Sequence, residues 1–220
     1  MKILLELIIT PIVALGLVSS LVAQEAKTLY ENNFEKAEAG KVPDDFLVLD
    51  GQFVVKEEGG NKFLELPGSP LDTFGLLFGP TEKEDLAVSA RFLGVGKGRR
   101  YPTFAVGLNG QGASAYRLQV SPAKKALELF KGDQIKATIP FEWASGKWSW
   151  LRLQIRKDKD GEWKVEGKAW TAGDDEPTTW SVSFNEKEAL IAGKASIWGN
   201  PFSGISIRFD DLRVTSAVEK

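Results

Sequence analysis

Seven tryptophans fall between residues 143 and 198, interleaved with arginines, lysines, glutamines and glutamates. That set suits binding, because an indole face stacks on a ring while guanidinium, amide and carboxylate groups hydrogen-bond around it. It suits little nucleophilic chemistry. The chain has no cysteine and no histidine, which excludes Ser-His-Asp and Cys-His mechanisms and zinc held by those ligands. A lysine-activated serine stays formally open, but no spacing points to one. Carboxylates remain for general acid–base work of the kind glycoside hydrolysis uses. Oxygen ligands make calcium the metal to consider. No Gly-rich loop stands between a strand and a helix, so no phosphate cradle is expected.

The element that best positions these groups is a hairpin. In residues 148–157 (WSWLRLQIRK), Leu151, Leu153 and Ile155 share a face; in 162–170, Val165, Gly167 and Ala169 do. A two-residue turn at Asp160-Gly161 would set Ile155 opposite Glu166 and mix the faces. A three-residue loop, Lys159-Asp160-Gly161 with left-handed glycine, instead pairs Ile155 with Val165, Leu153 with Gly167 and Leu151 with Ala169. The other face then carries Trp150 beside Trp170, Arg152 beside Lys168 and Gln154 beside Glu166. Facing cations are unfavourable unless an anion intervenes, and Glu166, diagonal to Arg152, is the expected one. Elsewhere Arg117 and Gln119 alternate against Tyr116, Leu118 and Val120, and Ser89 and Arg91 against Val88, Ala90 and Phe92. If these strands share a sheet, Arg91, Arg117, Gln119, Trp150, Arg152, Gln154, Glu166, Lys168 and Trp170 line one polar face, the expected ligand-binding surface. Trp148, Trp163 and Trp180 read as packing. Trp150 and Trp170 fit packing and stacking alike, while Trp198 and Tyr101 are expected on loops. Asp174-Asp175-Glu176, just before Pro177, reads as a solvated loop, and Glu82, Glu84 and Asp85 as a turn.

Alternation dominates the chain from residue 46 onward. It predicts strands over 28–34, 46–49, 52–57, 62–66, 74–78, 85–94, 103–108, 114–121, 126–131, 135–140, 148–157, 162–170, 179–184, 194–198 and 204–215. Only Asn185–Ala192 (NEKEALIA) suggests a helical turn. Many short strands joined by Gly-rich turns make an all-β, two-sheet sandwich or jelly roll. The domain is expected over 28–215, after a loose 24–27 and before a tail at 216–220. In the last strand Ile205, Ile207 and Phe209 have one parity, Leu212 and Val214 the other. The switch predicts a bulge at Asp210-Asp211. These acids are either solvated, or one is aimed at a cation or the N-terminal backbone.

Residues 1–23 have the form of a signal peptide, with an uncleaved N-terminal anchor as the alternative. Lys2 precedes an apolar stretch at 7–18, and Ala23 precedes Gln24. The stretch is shorter than the roughly 20 residues that span a bilayer. A secreted or periplasmic location is expected, with no membrane span in the mature chain. A net charge of −2 carries no basic excess toward nucleic acid.

Three stretches carry a family resemblance. They are Asn32–Glu35 with Leu49–Val55; Gly146–Leu153 with Gly167–Trp170 and Glu176–Trp180; and Phe209–Val214. In order and spacing they resemble the concanavalin A-like lectin/glucanase superfamily, in its laminin-G-like bacterial branch, near the 3-keto-disaccharide hydrolase domain. The resemblance spans about residues 28–215. It implies a jelly roll of two antiparallel sheets that binds glycans in many members. It also implies a structural calcium held by Asp210 with carbonyls of Gly51 and Asn33, although asparagines here replace an early acidic pair. The Glu-x-Asp-x-x-Glu strand of the family 16 glucanases is missing.

The expected function is therefore an exported, non-catalytic module binding a glycan or other surface polymer on the polar face. One alternative is a glycoside or 3-keto-disaccharide hydrolase, with Glu166 the first acid or base and a second carboxylate about 5–10 Å away. Another is a structural protein of an envelope or extracellular matrix.

Overall fold

The protein is described by a computed structural model covering residues 26–68, 72–110, 112, 115–201 and 204–217. The expected signal peptide lies outside these residues. The elements are β1 (Thr28–Asn32), β2 (Leu47–Asp50), β3 (Val54–Glu58), β4 (Asn61–Leu66), β5 (Phe74–Glu82), β6 (Leu86–Leu93), β7 (Thr103–Leu108) and β8 (Tyr116–Ser121). After a 3-10 turn at Pro122–Lys124 come β9 (Ala126–Lys131), β10 (Gln134–Pro140), β11 (Ser149–Lys157), β12 (Trp163–Thr171), β13 (Val182–Glu186), β14 (Gly193–Asn200) and β15 (Ile207–Ser216). Each strand expected from alternation has its counterpart.

All pairings within the sheets are antiparallel, and the sheets pack face to face. The first sheet runs β13-β12-β11-β6-β15-β4-β3, with β1 also on β15. The second runs β10-β9-β8-β7-β14-β5-β2. Between them lie the alternating apolar residues of every central strand, including Val88, Phe92, Phe104, Leu118, Leu151, Leu153, Ile155, Ile197 and Phe209, all 0–1% exposed. Leu118 of the second sheet presses onto Gly167 of the first, where a Cβ would stand 2.5 Å from its Cδ1. Any side chain at 167 would push the sheets apart.

The hairpin of β11 and β12 has the register that face agreement requires: Leu151↔Ala169, Arg152↔Lys168, Leu153↔Gly167, Gln154↔Glu166 and Ile155↔Val165. The Asp158 N–H donates to the Glu162 carbonyl at 2.8 Å, closing the loop 159–161, and Gly161 has φ +81°. The bulge in β15 is also present. Asp211 has φ +48° and the register against β6 shifts between Asp210 and Arg213. Before the bulge β15 pairs with β4 (Ile207–Phe209); after it, with β1 (Leu212–Thr215). The extra residue changes parity where the strand changes neighbour, so both halves keep their apolar side inward.

Two expectations about elements fail. Asn185–Ala192 forms no helical turn; β13 runs to Glu186 and irregular chain follows. Tertiary anchors decide the segment. Glu186 accepts the Glu188 N–H at 2.8 Å, Asn109 donates to the Ile191 carbonyl at 2.6 Å, and Leu190 is buried. Trp198 lies within β14 rather than on a rim loop, because that strand runs on to Asn200.

Candidate functional site

The outer face of the first sheet brings together Arg91, Trp150, Arg152, Gln154, Glu166, Lys168 and Trp170, but most are bound to one another or to the loop above. The Trp150 and Trp170 rings stack with centroids 6.0 Å apart and planes 13° from parallel. The facing cations beside them are joined by Glu176, whose Oε1 lies 2.9 Å from Arg152 Nη1 and 2.7 Å from Lys168 Nζ. Lys168 is fully buried. It donates to the Pro177 carbonyl at 2.6 Å and lies 4.6 Å from the Trp180 ring centre. The segment after β12 thus folds back over the cations. This corrects three expectations: Glu176 rather than Glu166 is the bridging acid, Glu176 is not merely solvated, and Lys168 is not an open donor. Burial pushes the Glu176 carboxyl up, but the hydrogen bond from Lys168 and the charges of Arg152 and Lys168 outweigh it and hold it below the ordinary range.

Glu166 is buried too. Its Oε2 accepts from Gln154 Nε2 at 2.7 Å and Arg156 Nε at 2.9 Å, and Lys164 Nζ stands 3.4 Å from Oε1. Its oxygens face donors of the same face, which does not favour a general acid or base. Arg91 ends on the bulge, with Nη2 2.7 Å from Asp210 Oδ2 and Nε 2.7 Å from Asp211 Oδ2, and it lies 4.8 Å from the Trp148 ring centre. Neither acid of the bulge is simply solvated. Burial raises the Asp210 carboxyl above its ordinary value, against the opposing pull of Asn61 and Arg91.

The three residues implied for calcium do not fit one ion. Asp210 accepts from Arg91, from Asn61 Nδ2 at 3.1 Å and from the Asp211 N–H at 2.7 Å. Gly51 instead borders a recess with Leu66 and Phe74, and Asn33 lines a different cleft. Among the described residues no group of three or more carboxylates gathers as a metal site. The positive charge beside Asp210 is the Arg91 guanidinium.

Space remains on this face on either side of Trp150. Clefts of about 670 and 280 Å³ share Ser89, Trp150 and Arg213 as a common wall. Their arginines are paired here as well, Arg213 with Glu31 at 3.3 Å and Arg152 with Glu176.

Arg117 and Gln119 do not belong to this face. Strand β8 lies in the second sheet, and Tyr116, Leu118 and Val120 point at the core, so Arg117 and Gln119 project from the opposite side of the molecule. Parity was right for each strand, but parity does not say which sheet a strand joins. Arg117 lines a cleft of about 760 Å³ with Trp198, Lys136, Asp133, Gln134 and Thr73. The Trp198 indole lies over Gly75 of the neighbouring β5, where a Cβ would stand 2.4 Å from Cε3 and 2.8 Å from Cδ2. Its Nε1 donates to Ser196 Oγ at 2.9 Å. On the next strand Ala105 and Gly107 keep the floor low. The Arg117 guanidinium rests 4.7 Å from the Phe130 ring centre. Gln119 donates to Ser121 Oγ at 2.9 Å. Sequence reading missed that Trp198 and Arg117 line one cleft, although the pattern Ser196-Ile197-Trp198-Gly199-Asn200, carried two residues further as a strand, puts Trp198 on the face opposite the buried Ile197.

No protein-family model and no curated protein sequence matches the chain. Solved structures do. A Bacillus subtilis protein of unknown function with a galectin-like fold superposes with a TM-score of 0.59 at 13% identity, covering 90% of this chain and all of that one. The metal-free carbohydrate recognition domain of Emp46p gives 0.59 at 13% identity over 89% of this chain and all of its own; a potassium-bound form of that domain also matches. A xylan β-1,4-xylosidase from Bacillus halodurans gives 0.56 at 13% identity, over 84% of this chain but 39% of the enzyme. At such identity the likeness shows the fold alone: an antiparallel, lectin-type β-sandwich.

Proposed function

We propose that the chain is an exported, non-catalytic carbohydrate-binding module whose ligand lies across the outer face of the second sheet. The observation that carries this is Trp198, held flat over Gly75 and fixed through its Nε1, at the wall of the 760 Å³ cleft. A pre-oriented indole over a low floor offers a stacking surface for a sugar ring at little cost in ordering. Arg117 on β8 and Gln134 and Lys136 on β10 line the rest of the same cleft with hydrogen-bond donors. The carbohydrate recognition domain among the structural neighbours supports the reading, as does the signal-peptide form of residues 1–23, which is the support for export.

The test is a glycan array probed with the full chain and with Trp198→Ala. Binding to a defined set of glycans, lost in the variant at an unchanged melting temperature, is the expected result. Binding that survives Trp198→Ala would remove the cleft from consideration.

A further inference from the structure

We propose that the glycan bound in this cleft is acidic, and that Arg117 receives its carboxylate or sulfate group. The inference rests on reading the second-sheet cleft as a glycan site, and it names the ligand class of that site.

Five arginines among the described residues are partly buried: Arg91, Arg117, Arg152, Arg156 and Arg208. Four of them end on a carboxylate: Arg91 on Asp210 and Asp211, Arg152 on Glu176, Arg156 on Glu166, and Arg208 on Glu58. Arg117 has no such partner within ion-pair distance among the described residues, and its buried Nε makes no hydrogen bond. Burial works against its charge, and Asp133 and Glu128 compensate only through space. Asp133 is exposed, while Glu128 is already bound by Lys124 at 2.9 Å and by Ser121.

A guanidinium taken partly out of water without a counter-ion works against folding. Phe130 covers one of its faces, which leaves its edge donors as the groups to be satisfied. Those donors form the planar fork that matches a carboxylate or sulfate. The other cleft cations sharpen the assignment. Lys131 is spoken for, at 2.7 Å from both Glu186 and Glu188. Lys136 donates to the neutral Gln134 at 3.0 Å and has no carboxylate within ion-pair distance among the described residues, and so adds a second positive charge.

Arg117 pairs with Gly107, which pairs with Ser196, two residues from Trp198. Two strand spacings and a two-residue offset separate the Cα atoms of Trp198 and Arg117, roughly 12 Å, and the side chains lean apart, the indole over Gly75 and the guanidinium over Phe130. A sugar stacked on Trp198 would leave an acidic residue further along the same glycan chain to reach Arg117.

The experiment measures binding of the full chain, by isothermal titration calorimetry, to matched polymers. Polygalacturonate and alginate are each compared with their carboxyl-reduced forms, and dextran sulfate with dextran. At least one acidic polymer should bind about tenfold or more tighter than its neutral counterpart. Arg117→Met should erase that preference, Arg117→Lys should restore part of it, and Trp198→Ala should weaken both members of the pair. The carboxylate and sulfate arms decide which anion is read. Equal binding of acidic and neutral partners, or a preference that survives Arg117→Met, overturns this inference while leaving the glycan site standing if Trp198→Ala still weakens binding. No binding to any of the polymers would overturn this inference, while the glycan array with Trp198→Ala decides separately whether the cleft binds sugar.

Discussion

The two outer faces carry the same kinds of residue and use them differently. On the first sheet, Arg152 and Lys168 converge on Glu176, Arg91 on Asp210 and Asp211, and Arg156 on Glu166. The segment bearing Glu176, Pro177 and Trp180 closes over the middle of that face. On the second sheet, Trp198 and Arg117 border a cleft, and Arg117 has no carboxylate partner among the described residues. An aromatic and a cation on one strand face are therefore no signature of a ligand site by themselves. What separates the two faces is whether the protein's own chain already satisfies the charges.

The comparison can be broken by mutation, and the largest expected effect is on the first face. Lys168→Met removes a fully buried ammonium but leaves Glu176 to Arg152 alone. Because Glu176 is itself 35% exposed, the expected loss is about 2–3 kcal/mol, below the range for a fully buried pair. Urea denaturation measures it, and glycan binding should be unchanged. Gly75→Ala tests the other face by geometry. Its Cβ would meet the Trp198 ring at 2.4 Å, so the indole must lift or the strands part, at about 1–2 kcal/mol. Affinity should fall with stability, as thermal melting and titration together would show.

Acid should loosen the first face. The folded-state value of Glu176 is depressed, so its contribution is present above the ordinary carboxylate value of 4.5 and is lost as pH falls through the depressed one. Glu186 is buried, which pushes its carboxyl up, but Lys131, the Glu188 N–H and Tyr116 outweigh this and hold it below the ordinary range, with the same sign. Melting temperature should fall steeply below about pH 4.5, and Glu176→Gln should flatten that part of the curve. Wild-type steepness in Glu176→Gln would mean that the bridge contributes little. The smallest effect is expected for Arg117→Met. With no ion pair to break, stability should change by less than about 1 kcal/mol, in either direction. A loss as large as that of Lys168→Met would show that Arg117 is structural.

Most of the fold was legible in the sequence because period-2 alternation reports directly on a half-buried strand. The β11–β12 register followed from face agreement alone, and the β15 bulge from the parity switch between Phe209 and Leu212. The site was legible only in part. Alternation says which way Arg117 points relative to Leu118, but long-range pairing puts β8 beside β7 and β9 rather than β11. The closure of Glu176 over Lys168 was hidden for a similar reason: Pro177 marks a loop, and no local signal says where a loop will fold. The expected calcium site carried over a ligand position without its surroundings, in which Arg91 supplies the charge.

The central claim, that ligand engages the second face and not the first, is tested most directly by oxidative footprinting of tryptophan. The full chain is oxidised with and without a bound glycan and each indole is read by mass spectrometry. Trp198 should be protected by the glycan, while Trp150 and Trp170 should oxidise as before. Protection of Trp150 and Trp170 with Trp198 unaffected would contradict the account and return the site to the first sheet.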